Sequence, residues 1–325
     1  MNHSPYIVTG GTSFIGRHLI RRLLEEERSS IVLLARDPSK VPQEWHPRVR
    51  VIEGDIREKG SLSRLPFEGS VIFHLAGEVE QKPLFYDINV VGTENLISLA
   101  ASESIRHFIH LSSVGVIGHP GGGKIDETAP CQPLNEYERS KYEGERILHE
   151  YYERYKTPMT IFRPSTVFGE ESKSRSFLSW MRSIKNGTFR FIRKKSYANY
   201  IYVGDVVEAL LRVSKAGRTG KDIFILSDGK PMEEFVHSAA KIFKVEISRA
   251  SIPRWVALMV AGTMAPLANY FRKSFPLTVS RVRALTDQRL FSMEKIKEEL
   301  GFQPRFGIVE GLQRTLVWYE REGLL

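Results

Sequence analysis

Tyr137 and Lys141 stand four positions apart in Tyr137-Glu138-Arg139-Ser140-Lys141, which opens a helical pattern running toward Tyr155. On a helix that spacing puts both side chains on one face. A phenol titrates near pH ~10, poorly matched to neutral solution. A nearby ammonium favours the phenolate, so Lys141 is expected to lower the Tyr137 value. Such a tyrosine gives a proton when a carbonyl is reduced and takes one when an alcohol is oxidised. The pair alone is weak evidence, because ordinary helices carry Tyr-x-x-x-Lys on their surfaces. Cys131 lies just upstream, but a lone cysteine without a local motif reads as inert.

A second segment points to phosphate chemistry. The apolar run Tyr6–Thr9 ends in Gly10-Gly11-Thr12-Ser13-Phe14-Ile15-Gly16, and a helical pattern follows at once. Strand, glycine-rich turn and helix together aim free N–H groups and a partial positive charge at a pyrophosphate. Gly10 permits the tight turn, and Gly16 is expected to let the helix approach the sheet. The next apolar run ends in Leu34-Ala35-Arg36-Asp37. In dinucleotide folds an acid about twenty residues past the loop holds the ribose of NAD, whereas an arginine there accommodates the 2′-phosphate of NADP. Arg36 falls at that distance, and a guanidinium suits a phosphate in charge and geometry. NADP(H) is therefore preferred, and Asp37 keeps NAD(H) open as the alternative cofactor.

The elements that would carry these groups alternate. Strand-like runs are Tyr6–Thr9, Ile31–Arg36, Arg48–Glu53, Ser70–Leu75, His107–Ser112 and Met159–Arg163, with helical patterns such as Ile15–Glu27 and Ile88–Ser102 between them. This rhythm predicts an α/β fold: a doubly wound parallel (Rossmann) sheet built from right-handed crossovers. The runs are continuously apolar, as expected of strands covered on both faces. After Gly169 the rhythm breaks into a basic, aromatic stretch. A helix starting near Asp205 and a strand-like run Asp222–Leu226 then follow, and the pattern from Pro231 onward is mostly helical. We expect residues 1–169 to form the dinucleotide-binding domain, 200–228 to return to it, and 170–325 to form a smaller, mostly helical substrate-binding region.

Composition narrows the class. With 42% hydrophobic and 26% charged residues, the 325-residue chain reads as an ordinary globular protein with a substantial core. No signal-peptide pattern opens it, because the first apolar run leads straight into glycines; a cytoplasmic protein is expected. The formal charge is +9, with much of the excess between Lys173 and Lys195, Arg193 and Lys194 included. No base-reading motif accompanies this charge, so nucleic acid is not expected as a partner. No metal-ligand cluster is present, so no metal is implied. The segment 252–273, with Trp255, Leu258, Met259 and Val260, reads as a helix packed over the substrate cleft. Its sharper reading is a peripheral membrane contact. Pro266 is expected to leave the run before it too short to span a bilayer.

Several motifs, in order, resemble those of the extended short-chain dehydrogenase/reductase superfamily. The loop matches T-G-x-x-G-x-x-G except at Ser13, where the family usually has its middle glycine. Asp55 and Ile56 resemble the run contacting the adenine, and His74-Leu75-Ala76-Gly77 resembles the strand end lining the cofactor. Asn89 resembles the helix asparagine supporting the active-site geometry. Counting back from Gly118, Ser113 matches the catalytic serine, whose hydroxyl steadies the substrate oxygen. Arg163-Pro164-Ser165-Thr166-Val167-Phe168-Gly169 resembles R-P-x-x-V-Y-G, which lies along the nicotinamide. The resemblance thus implies Ser113, Tyr137, Lys141 and Asn89 as the catalytic group. It also implies cofactor contacts from Pro164, Ser165 and Val167, a small-molecule substrate, and a homodimer.

The resemblance leaves the reaction open between an oxidoreductase, a nucleotide-sugar epimerase and a non-catalytic NADP sensor. Sugar dehydratases of the family carry an acid pair where this chain has Val114-Gly115, and epimerases tend to carry asparagine where it has Ser165. Arg-Pro-Ser is instead similar to the branch of hydroxysteroid dehydrogenases and dihydroflavonol-type reductases. An NADP(H)-dependent oxidoreductase acting on a carbonyl or secondary alcohol of an apolar, sterol- or lipid-like substrate is expected. Retention of the tyrosine and lysine argues against a sensor.

Overall fold

The apolar runs pair into one sheet. A computed structural model describes residues 4–26, 30–192, 195–248, 250–271 and 279–325. Arg193, Lys194, Arg272 and Lys273 lie outside these, as does Glu27 at the end of the first expected helix. The sheet strands are β1 (Tyr6–Thr9), β2 (Ile31–Ala35), β3 (Val49–Glu53), β4 (Val71–His74), β5 (His107–Leu111), β6 (Met159–Pro164) and β7 (Lys221–Leu226). All pairings are parallel, in the order β7-β6-β5-β4-β1-β2-β3.

Strand residues alternate between two cores. Val8, Phe73, Ile109 and Phe162 face helices α1 (Phe14–Glu25) and α5 (Val203–Lys215), where Leu19, Leu23 and Leu210 are fully buried. Ile7, Ile72, Phe108 and Ile161 face α2 (Gly92–Ala100) and α3 (Glu136–Tyr155), where Leu96, Ile97 and Leu148 are fully buried. Each such side chain contributes roughly 1.5–3 kcal/mol. The two edge strands depart most from continuous burial: β3 exposes Arg50 and Glu53, and β7 is half-buried over Lys221, Asp222 and Ile223.

The remaining helices are α4 (Arg175–Lys185), α6 (Met232–Phe243), α7 (Arg254–Phe271), α8 (Val279–Leu285), α9 (Glu294–Leu300) and α10 (Gly307–Arg321). An aromatic core holds α4, α6 and α10 together through Phe177, Phe235 and Tyr319. Short ladders tie this part to the strand tips: Thr166–Phe168 pairs with Tyr200–Tyr202, and Gly123–Ile125 with Arg289–Phe291.

Three expectations need correction. The helix expected over Ile88–Ser102 begins as a π-helical turn, Asp87–Val91, and ends at Ala100. Helix α5 starts at Val203, so Asp205 sits in its first turn and accepts from the backbone N–H groups of Phe306 and Gly307. Helix α7 continues through Pro266, since a proline removes one backbone donor without always ending a helix. Even so, among the described residues no helix is long and apolar enough to cross a membrane.

Candidate active site

Strand β1 lies between β2 and β4, and the chain leaves it toward β2 but leaves β4 toward β5. The loops therefore part above the tips of β1 and β4, and such a switch point is where open α/β sheets bind ligands. Gly10 adopts φ +71°, and a Cβ there would lie 2.6 Å from the Ala76 backbone nitrogen. Only glycine allows this contact between the loop and the tip of β4. Gly16 acts differently from expectation. Its Cβ would meet Gly10 O at 2.1 Å, so it lets α1 close onto the loop rather than onto the sheet. Ser13 is the N-cap of α1, and its Oγ accepts from Gly16 N at 3.3 Å. The position that departs from T-G-x-x-G-x-x-G therefore satisfies a helix-end donor.

Gly10, Thr12, Ser13, Arg36, Asp55, Ile56, Ala76 and Gly77 line one cavity of about 250 Å³. Phe14 and Ile15 turn inward and pack on the apolar cores, and Leu75 is buried beneath the floor. Two glycines that tolerate no Cβ, beside a helix N-terminus, make a cradle that fits a dinucleotide pyrophosphate. Arg36 and Asp37, adjacent in sequence, point to different tasks. Arg36 is exposed and lines the cavity. Asp37 accepts from Ser39 N at 3.1 Å and Ser39 Oγ at 2.6 Å, and the Ser39 hydroxyl leads the groups holding its carboxyl below the ordinary range. Asp55 pairs with Arg57 at 2.7 Å, which holds it low in turn. Glu78, not anticipated from sequence, also lines the cavity. Burial pushes its carboxyl up, but the backbone donors of Glu80, Gln81 and Val79 outweigh this and leave it low.

The cavity floor leads to the helix α3. A Cβ on Gly77 would lie 3.3 Å from Asn89 Oδ1 and 3.6 Å from Lys141 Nζ. Asn135 caps α3 by accepting from Glu138 N at 2.9 Å. Tyr137, Lys141 and Glu145 then recur along one face. Asn89 accepts from Glu78 N at 2.8 Å and donates to Ser140 Oγ at 2.9 Å; Ser140 donates to Tyr137 O at 2.8 Å. This chain of bonds runs from the loop after β4 to helix α3. Asn89 sits in the π-helical turn, a local widening often found at functional sites. Asn89 is itself buried, so its side chain positions α3 from behind.

Lys141 is only 4% exposed, and among the described residues it forms no ion pair within 4.0 Å. Burial depresses its ammonium to about 8, against the opposing charge of Glu145. Tyr137 packs edge-on against Phe85, with ring centroids 5.7 Å apart. The expected lowering of its phenol is not what the site produces. Burial pushes the phenol up, a hydrogen bond with Ser113 opposes the rise, and Lys141 is not among the groups that act on it. Desolvation disfavours both charged forms, and in this protein it dominates.

Behind these groups the strands carry buried polar residues. His74 bridges Thr9 Oγ1 at 2.8 Å and Thr93 Oγ1 at 3.0 Å, and burial lowers it to about 3. It is therefore a neutral brace. Glu145 takes a two-pronged bond from Arg163 of β6, the shortest arm being 2.6 Å, with both side chains almost fully buried. Arg163 also reaches Cys131 Sγ at 3.2 Å. Burial pushes that thiol up, which keeps it protonated and unreactive. The Glu145–Arg163 bolt was missed, although Glu145 lies one helical turn beyond Lys141.

A cleft of about 400 Å³ opens beside this centre, lined by Val114, Gly115, Glu138 and Ser165. Ser113, just before Val114, caps a short 3₁₀ turn and accepts from Gly115 N at 3.1 Å. Pro164 ends β6, and Ser165 lines the cleft with a buried hydroxyl that has no partner among the described residues; Val167 packs inward instead. The far wall carries Asn199, Arg283 and Arg289, none of them singled out by sequence. Arg289 is tied to Asp287 at 2.6 Å, whereas Arg283 has no ion pair among the described residues.

Comparisons with known proteins agree with this architecture. The chain is 25% identical to the N-acetyl-alpha-D-glucosaminyl-diphospho-ditrans,octacis-undecaprenol 4-epimerase of Escherichia coli O157:H7, over 97% of this chain and 95% of that protein. It is 26% identical to 3beta-hydroxysteroid-dehydrogenase/decarboxylase isoform 2 of Arabidopsis thaliana, over 95% of this chain and 61% of that one. The crystal structure of dTDP-glucose 4,6-dehydratase from Bacillus anthracis in complex with NAD shares the fold, with TM-score 0.74 at 22% identity over 99% of this chain and 100% of that one. The model of the NAD dependent epimerase/dehydratase family matches residues 6–227. With its parallel sheet, glycine cradle and Tyr137–Lys141 helix, the chain belongs to that family and is an enzyme of the extended short-chain dehydrogenase/reductase type.

Proposed function

We propose that this enzyme is an NADP(H)-dependent oxidoreductase acting on a carbonyl or secondary alcohol of an apolar, sterol- or lipid-like substrate. The observation that carries the reading is the division of labour at the tip of β2. Arg36 lines the cavity, while Asp37, the residue suited to NAD, is engaged with Ser39. A cation there favours the 2′-phosphate.

The cofactor, when bound, supplies or accepts the hydride. The chain holds and moves the matching proton at the Tyr137 hydroxyl, with the Ser113 hydroxyl steadying the substrate oxygen. Lys141, beside Gly77 at the end of the cavity, orients the ribose. Ser165, which lines the cleft, is assigned to the boundary between cofactor and substrate. Residues 1–169 and 200–228 hold the cofactor, and the rest of 170–325 holds the substrate. Helix α7 supports a lipid-like substrate, because Trp255 and Met259 are 65% and 61% exposed and lie one turn apart. Such a face suits an interfacial contact.

The test is tracing with labelled NADPH against ketones, steroids and nucleotide sugars. Net label in product with stoichiometric NADP⁺ is expected. A second reading, nucleotide-sugar epimerase, is favoured by Arg283, a cation in the cleft with no ion pair among the described residues, which suits a diphosphate. It predicts isomerised sugar with no net cofactor use.

A further inference from the structure

The cleft beside Tyr137 is not the end of the site. A second cavity of about 360 Å³ lies between α4, α7 and α8, and the two share Trp180, Tyr200, Ala284 and Leu285 as a common wall. Trp180 is held there by stacking on Phe235 at 5.0 Å with an interplanar angle of 9°. The two spaces differ in chemistry. The cleft contains Glu138, Asn199, Arg283 and Arg289, whereas the second is walled by Phe189, Ile192, Ile252 and Ala257.

The polar residues of the second wall are mostly committed elsewhere. Ser183 Oγ donates to Trp180 O at 2.7 Å, and Thr188 Oγ1 to Ser183 O at 3.2 Å. Ser176 Oγ pairs with Ser174 Oγ at 3.1 Å. Arg190 donates to Gly187 O and Phe189 O at 2.9 and 2.7 Å. A nucleotide base placed here would find few matched partners beyond Trp180 Nε1, a buried donor with no bond among the described residues, and unmatched burial of its other polar groups is costly. A hydrocarbon would lose nothing.

We infer that this chamber holds the hydrocarbon part of an amphiphilic substrate whose polar, reacting end lies in the cleft beside Tyr137. The inference rests on the apolar-substrate reading above and gives it a location. The size falls in the range of sites that bury a drug-sized group. Helix α7 contributes to both sides, with Ala257 lining the chamber and Trp255 and Met259 facing outward. A chain drawn from a lipid surface at α7 would have only the thickness of this helix to pass.

The experiment measures binding of 2-alkanols, from 2-hexanol to 2-dodecanol, to the full-length chain by tryptophan fluorescence. Affinity should rise about fourfold per methylene until the chamber is full. Ser183→Phe projects a ring into the chamber from the half-buried wall of α4. It should weaken 2-dodecanol at least tenfold and leave 2-hexanol within twofold. Ser179→Phe serves as the second filler should the first misfold. Affinity indifferent to chain length, or to both fillers, overturns the proposal. So does uridine diphosphate losing as much affinity as 2-dodecanol in the filled variants. Turnover of the same series with NADP⁺ is read separately: length-dependent binding without NADPH formation retains the chamber and removes the oxidoreductase reading.

Discussion

The Tyr137 end and the Arg36 end of the crevice are built in opposite ways. At the Tyr137 end, Lys141, Asn89 and Glu145 are all buried; Asn89 is bonded to Glu78 and Ser140, and Glu145 to Arg163. At the other end Arg36 is exposed and Asp55 leans on an adjacent arginine. Proton transfer needs groups held within hydrogen-bond reach in a dry site. Recognition of a phosphate needs only a mobile cation near its path. On the proposed reading, chemistry is invested in packing, and cofactor choice in one surface side chain.

The largest effect should come from removing the proposed proton carrier. Tyr137→Phe is expected to cut turnover ~10²–10⁴-fold while NADPH binding, followed by fluorescence, stays unchanged. Turnover within a few-fold of the parent would break the assignment of the buried end as the reaction centre.

Next is the bolt behind it. Glu145→Gln leaves Arg163 buried without its charge partner and should cost about 3–5 kcal/mol in urea unfolding. Replacing both residues with methionine should recover most of that, because the pair itself adds little net stability. If the single variant is as stable as the parent, the cross-tied end is not rigid for the reason given.

Lys141 supplies a pH signature. Its ammonium titrates at about 8 in the folded chain, below its ordinary 10.5. The unfolded chain therefore binds more protons between these values, and stability of the cofactor-free protein should rise as pH climbs from about 8 to 10.5. Below pH 8 the full penalty persists. Lys141→Met should flatten this window and raise stability at neutral pH by up to a few kcal/mol. Equal slopes in both proteins would remove the desolvated lysine from the account.

The smallest effect belongs to the exposed end. Arg36→Ala should weaken NADPH roughly 10–100-fold, the worth of a charge-assisted hydrogen bond, and leave NADH within about twofold. Equal loss for both cofactors would make Arg36 a general contact and reopen the choice between them.

Much of this was legible from the chain alone. β1 runs over Tyr6–Thr9 as its apolar run predicts, and the other sheet strands depart from their runs by one residue at one end, or in β4 at both ends. Continuous apolar runs between helical patterns leave a buried parallel sheet as the consistent solution. Gly10, Arg36 and Gly77 could be assigned to one crevice because motif order along a doubly wound sheet dictates which strand tips meet. Less was legible where neighbours come from elsewhere. Gly16 was assigned to the wrong contact, since the atom it avoids belongs to the loop six residues before it.

What the sequence by itself determined, then, is the sheet, the loop and the spacing of Tyr137 and Lys141, all set by local pattern and strand order. The tertiary structure alone decided that Asn89 reaches Ser140 and that an apolar chamber adjoins a polar cleft. It also reversed the expected shift of the Tyr137 phenol. These outcomes depend on side-chain direction and on how much water is excluded, and both follow from contacts between residues far apart in the chain.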